Sequence, residues 1–350
     1  METDQKNWTM EYEEYGPSLQ DEAKPTTFLQ TVADFYEWFG CWILTAMLFC
    51  GPLVFLYACI TPSLWVFAVL YLFWIVYDRE TIHKGGRRLK WLRKSRFWHT
   101  RRDYFPIKLV KTAELPPDTT YLFASFPHGI WAIGASTNFC SDVNHFDEAF
   151  PGLTPHMHMQ NDPLYFPITR DLLLFFGICG VSSNSILHVL NGPPGNVSVV
   201  TVGGYLEMMR SFPDTNRIVL KNRKGFVRVA LKAGSSLVPV YTFGETNTYD
   251  QMSSDWYIRL QNKLHSSVRL GGLVFAKGPW KLDHIFGILP YQTPITTVVG
   301  SPIKLPKVED PSNELVDKYH QIYIQELTAL FDKFKAKYDP RGEKAELSIE

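Results

Sequence analysis

Residues 38–77 contain no Asp, Glu, Lys, Arg or His, so forty consecutive positions between Glu37 and Asp78 carry no charge. One helix needs about 20 apolar residues to cross the hydrocarbon core of a bilayer. The run therefore has the length of two spans, and any fold must either give it an apolar solvent or bury it whole. Thr61-Pro62-Ser63 stands in its middle, and proline lacks the N–H that a helix interior needs, so the chain turns there. Gly51-Pro52 is a second break, which would leave a hairpin that enters without crossing fully. Two apolar helices forming a membrane hairpin are the expectation. A soluble helix of this length would show a charged face, and a cleaved leader would be shorter and would not follow 37 polar, acidic residues.

Basic side chains crowd the far side of the run: Arg79, Lys84, Arg87, Arg88, Lys90, Arg93, Lys94, Arg96, Arg101 and Arg102. Before it the chain is mostly acidic, with Glu11, Glu13, Glu14, Asp21, Glu22, Asp34 and Glu37. By the positive-inside rule the large C-terminal portion belongs in the cytosol, and a hairpin returns the polar segment 1–37 to the same side. Trp91, Phe97 and Trp98, interleaved with these cations, predict that residues 78–103 lie along lipid headgroups. A solvated linker is the alternative. The chain as a whole is neutral, with 35 basic and 35 acidic residues, which argues against nucleic acid as a partner. Its five cysteines, three of them inside the apolar run, read as reduced thiols rather than a disulfide framework.

Beyond residue 103 short apolar runs alternate with helical stretches. Strands are expected at 121–125, 197–202, 217–220, 237–243 and 296–299, and helices at 164–177, 225–233 and 313–338. This alternation predicts an α/β domain over 104–340, a mixed or parallel sheet flanked by helices. The charged tail 341–350 is expected to fray.

Three stretches could carry chemistry. Pro127-His128-Gly129 follows directly on an expected strand, where α/β ligand sites form. A histidine there is suited to take a proton from an alcohol near neutral pH. Gly203-Gly204 ends another strand, with Glu207 three residues on. Amides at a helix start can stabilise a developing oxyanion, and the carboxylate could orient or charge-balance a histidine; an ordinary tight turn with a surface glutamate would look the same. Asn222-Arg223-Lys224-Gly225 opens a third helix with cations suited to phosphate groups. His156-Met157-His158 has no third ligand at a recognised metal-site spacing.

Together these blocks resemble the type-2 diacylglycerol acyltransferase family, which also holds monoacylglycerol and wax-alcohol acyltransferases. The blocks are Lys84-Gly85-Gly86-Arg87-Arg88, the Tyr104-Phe105-Pro106 motif, Pro127-His128-Gly129, Phe150-Pro151-Gly152, Gly203-Gly204-Tyr205-Leu206-Glu207, the run 220–245, and the stretch 287–303. The resemblance implies a glycerolipid-acyltransferase-like fold behind the hairpin, at the endoplasmic reticulum membrane and the lipid-droplet surface. It implies acyl transfer from acyl-CoA, a co-substrate, to diacylglycerol without metal or other cofactor. Monoacylglycerol or a long-chain alcohol is the alternative acceptor, and a non-catalytic membrane-surface protein the alternative class; homo-oligomers are compatible with either. In that frame His128 is the general base and Glu207 its carboxylate partner. Tyr104, Phe105, Pro106, Phe126, Pro127, Gly129, Gly203, Gly204, Asn222, Arg223, Lys224 and Gly225 would contact the acyl-CoA or acceptor. One position departs: where the family reads His-Pro-His-Gly, this chain has Phe126 in place of the first histidine.

Overall fold

A computed structural model describes residues 12–17, 50–251, 256, 259, 263, 276, 277 and 290–350. Residues 38–49 of the expected hairpin lie outside them. The rest of the run is helical over Cys50–Ile60, here α1, breaks at Thr61 and resumes at Pro62 after a 105° bend. A single 3-10 turn, Pro62–Leu64, leads into α2, Trp65–Tyr77. The break falls where proline removes a donor, whereas the chain stays helical through Gly51-Pro52. Among the described residues no single helix is long and apolar enough to cross a membrane, although the bent pair is by length and composition. Val66, Phe67, Val69, Leu70, Leu72 and Phe73 are all exposed on α2, and Ala68 is its one buried residue.

A charge cluster fixes the base of α2 to the rest of the molecule. Asp78 receives Arg87 and, at 2.9 Å, buried Arg170. Arg87 also reaches Asp171 at 3.1 Å and lies 4.9 Å over the Trp74 ring. From α2 itself, the Tyr71 hydroxyl donates to Asp171 and accepts from the Ile168 amide at 2.7 Å.

The following segment is partly built into the core. Its helices are α3, Lys90–Arg93, and α4, Arg96–Tyr104. Trp91 points outward, but Trp98 is buried and packs edge-on against Phe176. Arg93 is buried too, donating to the Phe139 and Ser141 carbonyls at 3.1 and 3.2 Å. Composition cannot separate these roles, because an aromatic or an arginine serves a core as well as a headgroup.

The remainder is α/β, as expected. An eight-stranded mixed sheet contains β1 (Glu13–Tyr15), β2 (Ile107–Lys111), β3 (Tyr121–Phe126), β4 (Thr154–Met159), β5 (Ile178–Gly180), β6 (Asn196–Thr201), β8 (Ser236–Phe243) and β11 (Ile295–Val299), in the order β1-β2-β11-β8-β3-β6-β4-β5. Strands β8, β3, β6, β4 and β5 are parallel, while β11 runs antiparallel to β8 and parallel to β2. Two short pairs stand apart: β7 (Arg217–Ile218) with β12 (Ser348–Ile349), and β9 (Asp250–Gln251) with β10 (Ala276–Lys277). Further helices include α5 (Ile133–Cys140), α6 (Phe146–Ala149), α7 (Thr169–Phe175), α8 (Ser183–Leu190), α9 (Gly204–Met208), α10 (Gly225–Ala233) and α11 (Asn313–Tyr338).

The central strands are apolar on both faces, as buried parallel strands are. Tyr121, Phe123, Val197 and Val199 join one core with α5 and α6 residues, and Leu122, Ala124, Phe126 and Tyr241 join the other under α10 and α11. The expected helix 164–177 is interrupted, a 3-10 turn at Asp162–Tyr165 giving way to α7 only at Thr169. Pro167 stands in the gap, for the reason proline breaks helices elsewhere. The tail does not fray: Ser348 and Ile349 pair in parallel with Arg217 and Ile218.

Candidate active site

Three adjacent parallel strands bring the sequence motifs together. Ser125 of β3 stands opposite Thr201 of β6, and Phe126 opposite Tyr241 of β8. Their C-terminal ends therefore share one edge of the sheet, and the loops beyond carry His128, Gly203–Glu207 and Glu245. Strands β11 and β2 run the other way, with Ile295 beside Ile107 and Thr296 beside Phe243. Tyr104-Phe105-Pro106, just before β2, thus arrives at the same edge. Long-range pairing direction, not local pattern, unites these segments.

His128 is half-buried and the peptide before Pro127 is cis. Its Nδ1 lies 3.2 Å from the Gly129 carbonyl oxygen. A carbonyl can only accept, so Nδ1 carries the proton and Nε2 keeps its lone pair. Burial, opposed by that hydrogen bond, holds the imidazole below its ordinary 6.5. The folded protein thus has a neutral histidine at neutral pH. The acid limb of the pH–rate profile is expected to have its midpoint below pH 6.5; a midpoint above that value, measured as initial rate against pH at saturating substrate, would contradict this environment.

Glu207 does not meet the imidazole. Its Oε2 accepts the His128 backbone N–H at 2.7 Å, and its Oε1 accepts the Val219 N–H at 2.6 Å. The carboxyl is fully enclosed, and burial pushes it up to about 8, against the two amides and the charge of Arg223. Its geometric role is to clamp the backbone of the histidine loop. Gly203 is the residue that makes room: a Cβ there would lie 1.8 Å from the Glu207 Cδ.

A second buried carboxylate, Glu245, does the same on the other flank. It accepts the Ile133 and Gly134 amides at 2.6 and 2.8 Å, at the start of α5. Burial pushes it up to about 7, opposed by those amides and Arg101. Gly129 lies directly beneath it, with φ +59° and a would-be Cβ 2.6 Å from the Glu245 Cγ. The loop bearing His128 is held at both ends by carboxylates resting on glycines. Sequence reasoning passed over Glu245; its signal was a Gly-Glu step at the end of a buried strand.

Other expected residues divide. Phe105 is buried with Ile107, Ile130, Ile133, Tyr249 and Ile295 in a small apolar cluster flanked by Tyr104 and Met208. The Tyr104 hydroxyl donates to the Pro290 carbonyl at 2.8 Å. This is an apolar wall beside His128. Asn222 and Arg223 are exposed, and Lys224 pairs with Asp317 at 2.6 Å. Gly204 and Gly225 open onto free space, with nothing within 4 Å of a would-be Cβ. Phe126 is fully buried on the core face of β3, 6.3 Å from the Tyr323 ring. β3 ends at Phe126, and His128 lies in the loop that follows it. The rings of His156 and His158 are engaged by carbonyls of Gly85 and Gly180, with Ser198 completing the second.

A hollow of about 600 Å³ lies at the opposite edge of the sheet, lined by Thr120, Leu190, Lys232 and Lys307 among others, away from His128.

The model of the diacylglycerol acyltransferase family matches residues 56–348. The chain is similar to diacylglycerol O-acyltransferase 2 of Danio rerio, 40% identical over 84% of this chain and 82% of that protein. It is as similar to human acyl-CoA wax alcohol acyltransferase 1, 42% identical over 79% of this chain and 85% of that protein. Human diacylglycerol O-acyltransferase 2 is 41% identical over 78% and 72%. Among solved structures, a Thermotoga maritima 1-acyl-sn-glycerophosphate acyltransferase aligns at 14% identity over 84% of this chain and 94% of that one, at a TM-score of 0.39, too low to bear on the site. A match over most of the chain, with His128 and its two clamping carboxylates inside the matched region, makes this chain a member of the diacylglycerol acyltransferase family.

Proposed function

We propose that this chain transfers the fatty acyl group of acyl-CoA to the free hydroxyl of diacylglycerol, with His128 as general base. The observation that carries the reading is the neutral imidazole with its tautomer set by Gly129 and its backbone clamped by Glu207. Nε2 takes the hydroxyl proton as the oxygen attacks the thioester carbonyl. A C–O bond forms, the tetrahedral intermediate collapses with C–S cleavage, and the CoA sulfur receives the proton back from the imidazolium. No side chain becomes acylated. Glu207 and Glu245 hold the loop, and a loop fixed in place avoids reorganisation as charge develops. The apolar wall of Phe105, Ile130 and Tyr249 suits a fatty chain, and exposed Asn222 and Arg223 suit the CoA phosphates.

The all-round apolar surface of α2 belongs in hydrocarbon, which supports attachment to the endoplasmic reticulum membrane or a lipid droplet, with the catalytic domain cytosolic. A second reading, transfer to a long-chain alcohol, is favoured by the equal likeness to human acyl-CoA wax alcohol acyltransferase 1; acceptor choice depends on pocket shape. The test offers radiolabelled oleoyl-CoA with diacylglycerol, monoacylglycerol or a fatty alcohol to carbonate-washed membranes containing the protein. Labelled triacylglycerol from membrane-retained protein is expected. Label only in wax ester would move the assignment to the second reading, and protein lost in the wash would sink the membrane placement.

A further inference from the structure

We infer that the C-terminal strand β12 is a latch that positions His128, acting through Glu207; this rests on the reading of His128 as the base. Four main-chain hydrogen bonds seat residues 348–350 beside 216–221. Ser348 N–H donates to the Asn216 carbonyl at 2.9 Å and Glu350 N–H to the Ile218 carbonyl at 2.9 Å. In return the Glu350 main-chain oxygen accepts the Leu220 and Lys221 amides at 2.9 and 2.8 Å. Between Ile218 and Leu220 stands Val219, whose amide is one of the two donors to Glu207. The other donor is the amide of His128.

The Glu350 side chain grips the same unit from its other end, pairing with Arg210. The Arg210 amide donates to the Glu207 carbonyl at 2.9 Å, so the pair holds the turn that follows α9. Residues 348–350 therefore bracket Glu207 from both sides, once beyond its own helix and once at Val219. Strand β7 has two residues and β12 is its one partner in its sheet, and a two-stranded pair is marginal on its own. Without β12 the 216–221 segment loses its ladder, and the Val219 amide is no longer fixed against Oε1. An enclosed carboxyl with one oxygen unsatisfied is costly, so Glu207 relaxes, and the backbone of His128 with it. The latch touches no reacting atom: Ser348, Ile349 and Glu350 are positioning residues.

The experiment compares full-length protein with a chain ending at Leu347 and with the single substitutions Ser348→Pro and Glu350→Pro, each of which deletes one ladder donor. Expected are a fall in kcat of about tenfold or more for the truncation and smaller falls for the prolines, since small displacements of catalytic groups cost this much. KM for oleoyl-CoA stays within about twofold, because the exposed cations on the acyl-CoA side remain. Hydrogen exchange gives the readout that mere destabilisation would not: faster exchange at the His128 amide and at 219–221, with protection in α11 retained. If the truncated chain does not fold, the proline variants carry the test on the same two readouts. Unchanged kcat in folded variants, or a His128 amide that exchanges as before, overturns the latch. Wild-type transfer by a His128→Ala enzyme would instead overturn the base assignment, leaving the exchange result to be read on its own.

Discussion

Replacing His128 with alanine is expected to lower acyl transfer by about 10²- to 10⁴-fold, the range a positioned general base supplies. The fall should appear in kcat, with KM for acyl-CoA little changed, because the imidazole acts on the acceptor proton and not on the CoA moiety. The side chain is half-buried, and its contact is one 3.2 Å bond to the neighbouring carbonyl, so the variant should fold. Glu207 binds the backbone amide, which alanine retains. Initial rates in membranes at matched protein level are the check, and retention of activity would remove the catalytic assignment. The same experiment decides against a non-catalytic surface protein. Phe126 gives that alternative little support: it is a core residue beneath α11, where the Tyr323 hydroxyl donates to the Ala124 carbonyl at 2.8 Å.

The adjacent glycines should respond to alanine very differently. At Gly203 the new methyl group would lie 1.8 Å from the Glu207 Cδ and 2.1 and 2.2 Å from its oxygens. That carboxyl must move, and both of its amide bonds go with it. Overpacking of this kind costs about 1–3 kcal/mol, and the loss of the His128 clamp should lower kcat by about 10²-fold through misplacement of the base. At Gly204 nothing lies within 4 Å, and the cost is only that of φ +56°, about 1 kcal/mol or somewhat more. Thermal stability and kcat of the two variants, measured side by side, should separate them clearly. Equal effects would mean that the Gly203–Glu207 contact is not what holds the loop. Proton linkage gives a supporting signature. A carboxyl raised from 4.5 to about 8 is ionised in the unfolded chain but protonated in the folded one across that window. Its contribution to stability is therefore greatest below pH 4.5 and is lost as pH rises towards 8; Glu207→Gln should flatten that slope.

Much of this architecture was legible before any coordinates. The charge-free run with proline at its middle predicted two apolar helices, and α1 and α2 break at Thr61. Short apolar runs flanked by turn residues located β3, β6, β8 and β11 to within two residues, and 225–233 and 313–338 matched α10 and α11 at both ends. Such segments are dictated by neighbours close in sequence, through periodicity and capping. The misses share a different cause. Trp98 and Arg93 read as surface residues because the partners that bury them, Phe176 and the carbonyls of Phe139 and Ser141, lie far along the chain. The tail read as frayed because a two-residue strand has no pattern of its own and exists only through pairing with Arg217 and Ile218.

The candidate site divides along the same line. By itself the sequence determined which chemistry was on offer: a histidine between proline and glycine at a strand end, glycines before a carboxylate, cations at a helix start. Those are statements about residue type and local backbone, and local spacing suffices for them. Only the tertiary structure decided who meets whom. Parallel pairing of β3 with β6 and β8 placed His128 between two carboxylates, and the reversed direction of β11 and β2 brought Tyr104-Phe105 to the same edge. It also turned Glu207 to the backbone of His128 rather than its ring, and Phe126 into the core. The physical reason is that a side chain's partner is set by strand order, direction and enclosure, which contacts between distant segments impose and no local stretch encodes.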